Sequence, residues 1–163
     1  MRFVSKFHPR IVRFKDLPRP CKLAVIWWMV VDGHAWEASD HIQAAYKVAQ
    51  VTGGGWRKYT SLMRPAVVSS MGFYNGKYGK TRWGIATIPL REFVDWMASP
   101  KKGFGDYHTA YCKNNPVEEH PKRNRWPLII DPRSGSIRDG YHRFHTYINQ
   151  GAKKAPCVWQ ENT

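Results

Sequence analysis

Residues 127 to 159 read PLIIDPRSGSIRDGYHRFHTYINQGAKKAPCVW. Pro127 to Asp131 is an apolar run, PRSG has turn chemistry, and SIR is a short second strand. The period then changes. From about Tyr141 to Gln150 the spacing predicts a helix with Tyr141, Phe144 and Ile148 on its buried face, and Gly151 ends it. APCVW predicts a further strand. The order strand, turn, strand, helix, strand predicts an α+β fold, a small mixed sheet with flanking helices.

The junction DGYHR lies where the second strand gives way to the helix. A helix start leaves backbone N–H groups unpaired at the positive end of the macrodipole, so Gly140 would let an anion approach while His142 and Arg143 close around it. Arginine suits phosphate because its donors form a fixed fork. Asp139 is the expected N-cap. The plainer alternative is a capped helix whose His142 and Arg143 only face water.

The whole chain favours the anion. Its 163 residues suit one core, and 26 Lys and Arg against 12 Asp and Glu give a formal net charge of +14. Such a field attracts phosphate polyanions or acidic surfaces, so DNA or RNA is the first expected partner and an acidic protein the second. Cys21, Cys112 and Cys157 are odd in number and widely spaced, which fits a reducing cytoplasm better than a disulfide framework. The longest apolar run, Leu23 to Val31, has about half the length a bilayer span requires, so no membrane partner is expected. It reads as a strand or a buried helix.

Upstream, residues 1 to 84 form a basic, aromatic-rich region expected to pack on the same core as residues 85 to 163. The first twenty residues interleave Phe3, Phe7 and Phe14 with basic side chains including Arg10, Arg13 and Lys15. They are either an arm that lies along a polyanion or an edge strand whose rings dock on the core. A helix is expected from about Ser39 to Val51, stopped by Gly53 to Gly55. In the section after it, Arg57, Lys58, Arg64, Lys77, Lys80 and Arg82 accompany Trp56, Tyr59, Tyr74, Tyr78 and Trp83, a combination of charge and rings that suits a nucleic-acid strand unless the rings are core. Asn75-Gly76 predicts a hairpin turn. IPLREFVDWMASP predicts a short helix, and the polar stretch after it is long enough to expect a functional or mobile loop.

PLIIDPRSGSIRDGYHRFHTYINQGAKKAPCVW resembles the end of the N-terminal domain shared by ParB proteins and sulfiredoxins, where a strand pair leads into Gly-x-His-Arg, a helix, a glycine and a strand. IATIPLREFVDWM resembles that fold's early strand and helix, so the likeness covers about residues 85 to 159. It implies that Gly140, His142 and Arg143 contact a nucleotide phosphate, with ATP or CTP and Mg2+ as candidate cofactors. Tyr141 stands where sulfiredoxins carry a cysteine, so sulfinic-acid reduction is not expected. ParB partition proteins continue into a helix-turn-helix domain and this sequence stops at Thr163, so centromere-like recognition is not expected either. The resemblance leaves nucleotide binding, phosphoryl transfer, or the nuclease activity of some ParB-like proteins.

Two acidic groupings complete the candidates. Glu118, Glu119 and His120 precede the strand pair, where a carboxylate would act as base or hold a cation beside the phosphate, or else simply offset nearby basic residues. His34, Glu37, Asp40 and His41 would share one side of a helix and allow a metal site if that segment is helical. The leading expectation is a nucleic-acid-associated hydrolase that cleaves phosphodiesters, with Arg143 neutralising charge, His142 donating a proton, and Glu118 or Glu119 supplying base or metal ligand. The rivals are a non-enzymatic basic binder or inhibitor and an NTP-dependent kinase or NTPase.

Overall fold

A computed structural model describes residues 1–93 and 126–161. The chain separates into two compact units, one made of Met1–Val12 with Arg82–Thr163 and the other of Arg13–Thr81. The fold is mixed α+β.

The first unit is organised around a five-stranded sheet. Its strands are β1 (Arg10–Arg13), β2 (Arg82–Pro89), β3 (Leu128–Ile130), β4 (Ile137–Asp139) and β5 (Lys154–Gln160), in the spatial order β1-β2-β5-β3-β4. Helix α5 (Tyr141–Asn149) connects β4 to β5. β3 and β4 are antiparallel, and the crossover through α5 returns the chain so that β5 runs parallel to β3, with Leu128 opposite Cys157 and Ile129 opposite Val158. β2 completes the centre antiparallel to β5, pairing Ile88 with Ala155. All three residues of β3 are buried, which explains why its sequence is a continuous apolar run instead of an alternating one. Ile88, Leu128, Ile130, Ile137, Phe144 and Trp159 form the centre of the core.

The N-terminal residues resolve in favour of docking. A single 3-10 turn, Phe3–Phe7, attaches by backbone bonds from Phe3 N to Arg133 O (3.0 Å) and Val4 N to Pro132 O (3.2 Å), and Phe3 packs on Phe93. Val4 is buried and β1 forms a sheet edge. Arg2 pairs with Glu161 and Lys6 with Glu92. Residues 1 to 12 are therefore part of this unit's fold and not a free arm.

The second unit is helical: α1 (Arg19–Ile26), α2 (Asp40–Thr52), α3 (Gly55–Ser69) and α4 (Met71–Tyr78). The apolar run from Leu23 is helix, as one of its two readings had it. It continues past Ile26 into a wider turn, Trp27–Val31, where Asp32 N bonds to Trp27 O at 3.0 Å. At this end Val30 O accepts from Gly33 N at 3.1 Å, the Tyr46 hydroxyl is shared between Val30 O and Val31 O at 2.8 and 2.9 Å, and Val31 O also accepts from the Tyr59 hydroxyl at 3.2 Å. Ser39 caps α2, its Oγ accepting from Ile42 N at 3.3 Å. α2 ends at the expected glycines, and α3 packs back on it. Gly53, Gly54 and Gly55 have φ of 65°, 96° and 76°, a reversal that side-chain-bearing residues would resist.

Asn75-Gly76 does not form a hairpin. Both residues lie inside α4, because Ser70 and Tyr74, four apart, are buried together and set a helical period that overrides the dipeptide's turn preference.

Candidate phosphate site at the start of α5

β4 ends at Asp139, and the chain turns into α5 through Gly140, whose φ of 104° lies in the left-handed region. Gly140 itself occupies the N-cap position, and no side chain caps the helix. The expectation that Asp139 is the N-cap is thus corrected: paired with Ile129 in the sheet, Asp139 sits one residue too early. Its carboxylate instead accepts from Arg143 Nη2 at 3.3 Å.

Arg143 is the centre of the arrangement. It is only 2% exposed, yet among the described residues its one hydrogen bond is that long contact to Asp139 and its Nε has no acceptor. The guanidinium lies 5.9 Å from the centroid of the Trp126 ring, a cation–π arrangement. It also fills the space where a side chain on residue 140 would begin, since a Cβ there would lie 2.8 Å from Nη2 and 2.9 Å from Nε. Gly140 therefore makes room first for the arginine. Burying a guanidinium with so few acceptors is costly, and a phosphate oxygen is the kind of partner that would complete it.

The rest of α5 holds this turn in place. Phe144 N bonds to Gly140 O at 2.8 Å to close the first turn, Tyr141 donates its hydroxyl to Ile137 O at 2.5 Å, and Tyr147 donates to Trp126 O at 2.9 Å. His142 is half-buried on the same turn. The first turn carries no acidic residue that would repel an anion. Of the face the sequence suggested, Phe144 is buried and Tyr141 packs half-buried on the core, but Ile148 is 42% exposed, and Arg143, His145 and Thr146 are buried as well. Trp126 escaped the sequence reading, although a tryptophan directly before the first apolar strand was the available signal.

Below this turn, Asp131 organises the connection between β3 and β4. Burial alone would raise its carboxyl, but the amide of Ser134, the Arg138 guanidinium and the amide of Arg133 all donate to it and hold it below the usual carboxylate range.

The other candidates fall apart in space or lie elsewhere. Glu118, Glu119 and His120 are outside the described residues. Among the described residues no three His, Cys, Asp or Glu side chains come together to hold a metal. In particular, the segment from Asp32 to Ser39 is not helical, so His34, Glu37, Asp40 and His41 do not share a helix face. Glu37 pairs with Lys77, and the His34 ring lies 5.3 Å from that of Trp28.

Of the basic residues singled out for nucleic acid, Arg10 and Arg82 belong to the first unit, and Arg13, Lys15, Arg57, Lys58, Lys77 and Lys80 to the second. All eight are exposed, whereas Arg64, also in the second unit, is half-buried. The rings divide: Tyr74 and Trp83 are core, Tyr59 and Tyr78 are half-buried, and Trp56 is 56% exposed. Cys21 and Cys157 are buried thiols, and burial pushes that of Cys21 up to about 11. No helix among the described residues is long and apolar enough to cross a membrane.

The chain matches no protein-family model, no curated protein and no solved structure.

Proposed function

We propose that the protein is a nucleic-acid-associated hydrolase of the ParB-like type, working in the cytoplasm, that holds a phosphate of DNA or RNA at the start of α5 and cleaves a phosphodiester there. The observation that carries the reading is Arg143: a buried guanidinium whose Nε has no acceptor among the described residues, at an uncapped helix N-terminus. Anionic phosphate answers both the unmet donor and the helix dipole. The net charge of +14 supports a polymeric phosphate over a small one.

In this reading Arg143 and the α5 backbone amides neutralise phosphate charge, and His142 donates a proton to the leaving oxygen. Glu118 and Glu119 remain the sequence's candidates for a base or a Mg2+ ligand. ATP or CTP would seat its phosphates at the same helix start, through Gly140, His142 and Arg143. A second reading, binding of nucleic acid or of an acidic protein without turnover, is favoured by the contact of Asp139 with the Arg143 guanidinium, which is already partly neutralised.

The test is incubation of the protein with single-stranded DNA, duplex DNA and RNA, with and without Mg2+, alongside assays for ATP and CTP hydrolysis. Cleavage of a polynucleotide that His142→Ala abolishes, with a loss of affinity too small to account for it, is the expected result. Binding without cleavage of any substrate selects the second reading. Failure to bind any polynucleotide at low salt defeats the nucleic-acid reading altogether.

A further inference from the structure

Between His41 and Arg91 the sequence contains no Asp or Glu, while Lys47, Arg57, Lys58, Arg64, Lys77 and Lys80 fall within the helical unit. This unit carries its own positive field, quite apart from α5. Its tip is the glycine turn joining α2 to α3, and the side chain directly after that turn is Trp56. At 56% exposure, the Trp56 indole keeps most of its surface in water.

The ring is exposed but not loose. Tyr59 stacks against it with centroids 5.5 Å apart and planes 29° from parallel, and Trp27 meets it edge-on at 6.5 Å and 84°. Trp27 is itself fully buried, and the Tyr59 hydroxyl is tied to Val31 O. An indole braced from two sides and open on another is a preformed surface for stacking, and its ordering cost is already met by the fold. Arg57 and Lys58 follow it immediately, both exposed.

An apolar partner protein would need no such charge, whereas a nucleic-acid single strand offers flat unstacked bases together with phosphates. A duplex hides its base faces and presents only the charge. We infer that Trp56, backed by Tyr59 and flanked by Arg57 and Lys58, is a stacking site for an unpaired base of single-stranded DNA or RNA. This rests on the proposed nucleic-acid association and adds to it a preference for single strands, located outside the phosphate site at α5.

The experiment measures binding of a fluorescent oligothymidylate, the matching duplex, and vesicles rich in anionic lipid, using the full chain and the variants Trp56→Ala, Trp56→Phe and the double replacement Arg57→Ala with Lys58→Ala. Trp56→Ala should weaken the single strand by at least about fivefold, the lower end for loss of one base–aromatic stack, and should leave the duplex nearly unchanged. Trp56→Phe should retain most of the affinity. The double replacement should flatten the salt dependence for both nucleic acids, by roughly 0.7 per lost phosphate contact for the single strand. If the parent binds the single strand and Trp56→Ala binds it equally well while its helical circular dichroism is intact, the stacking site is refuted and the nucleic-acid reading stands. If the parent binds neither nucleic acid, both fall. Binding to vesicles alone, lost in Trp56→Ala, would overturn the inference in favour of a lipid surface.

Discussion

Replacing Gly140 by alanine separates what that residue does for the backbone from what it does for Arg143. With φ at 104°, alanine incurs a left-handed penalty of about 1–2 kcal/mol. The new methyl would also lie 2.8 and 2.9 Å from the guanidinium and 3.1 Å from Leu128 Cδ2. Arg143 and Leu128 are both buried, so neither moves aside freely, and overpacking of this kind costs about 1–3 kcal/mol. The expected total is about 2–5 kcal/mol, a large share of a typical domain's stability. Gly151 supplies the control: its φ is 73° and a Cβ there would meet nothing within 4 Å, so Gly151→Ala should cost only the backbone part. Urea unfolding followed by circular dichroism gives both values. In an Arg143→Ala background the cost of Gly140→Ala should fall toward that of Gly151→Ala, a coupling that a double-mutant cycle reads directly. Equal costs for Gly140→Ala and Gly151→Ala in the parent would refute the placement of the guanidinium against residue 140.

Two further substitutions probe the supports of each unit. Tyr74→Phe removes the hydroxyl that accepts from the buried Ser39 N–H at 3.0 Å, and urea unfolding should show a loss of about 1–3 kcal/mol, the cost of a buried donor left without its partner; a change below the error of the measurement would count against that bond. Asp131 has a folded pKa lowered from its ordinary value, so its contribution to stability is complete above the usual carboxylate range and is lost as pH falls through the lowered value. Asp131→Asn should therefore lower stability at neutral pH and flatten its decline in acid, and identical unfolding curves for variant and parent from pH 2 to 7 would contradict this.

The C-terminal fold was readable because its pattern is local: an apolar run, a turn, a short strand, a glycine and an amphipathic helix follow in order, and each of these elements forms. Period alone did not settle Leu23 to Val31, since a fully apolar run is equally a buried strand or a buried helix. The Asn75-Gly76 turn failed because burial of Ser70 and Tyr74 selects a helix that the dipeptide cannot reveal. At the candidate site the residue types were legible and their roles were not. Sequence put an aspartate at the cap, whereas Gly140 caps and the Arg143 guanidinium lies in the space where a side chain on residue 140 would begin. That exchange depends on Arg143 folding back under Trp126, a contact between residues 17 apart that no local pattern encodes.

The central claim is that a nucleic-acid phosphate completes the hydrogen bonding of Arg143. Its most direct test is the affinity of a short single-stranded oligonucleotide for the parent, Arg143→Ala and Arg143→Lys at one fixed low salt concentration, with unfolding curves confirming that each variant is folded. The alanine variant should bind more weakly by about 1.5–3 kcal/mol, the range for hydrogen bonds to charged groups. Lysine should restore only part of the loss, because a point charge does not reproduce the guanidinium fork. A folded Arg143→Ala protein that binds the oligonucleotide as tightly as the parent would contradict the claim and leave Arg143 as a purely structural tie between Asp139 and Trp126.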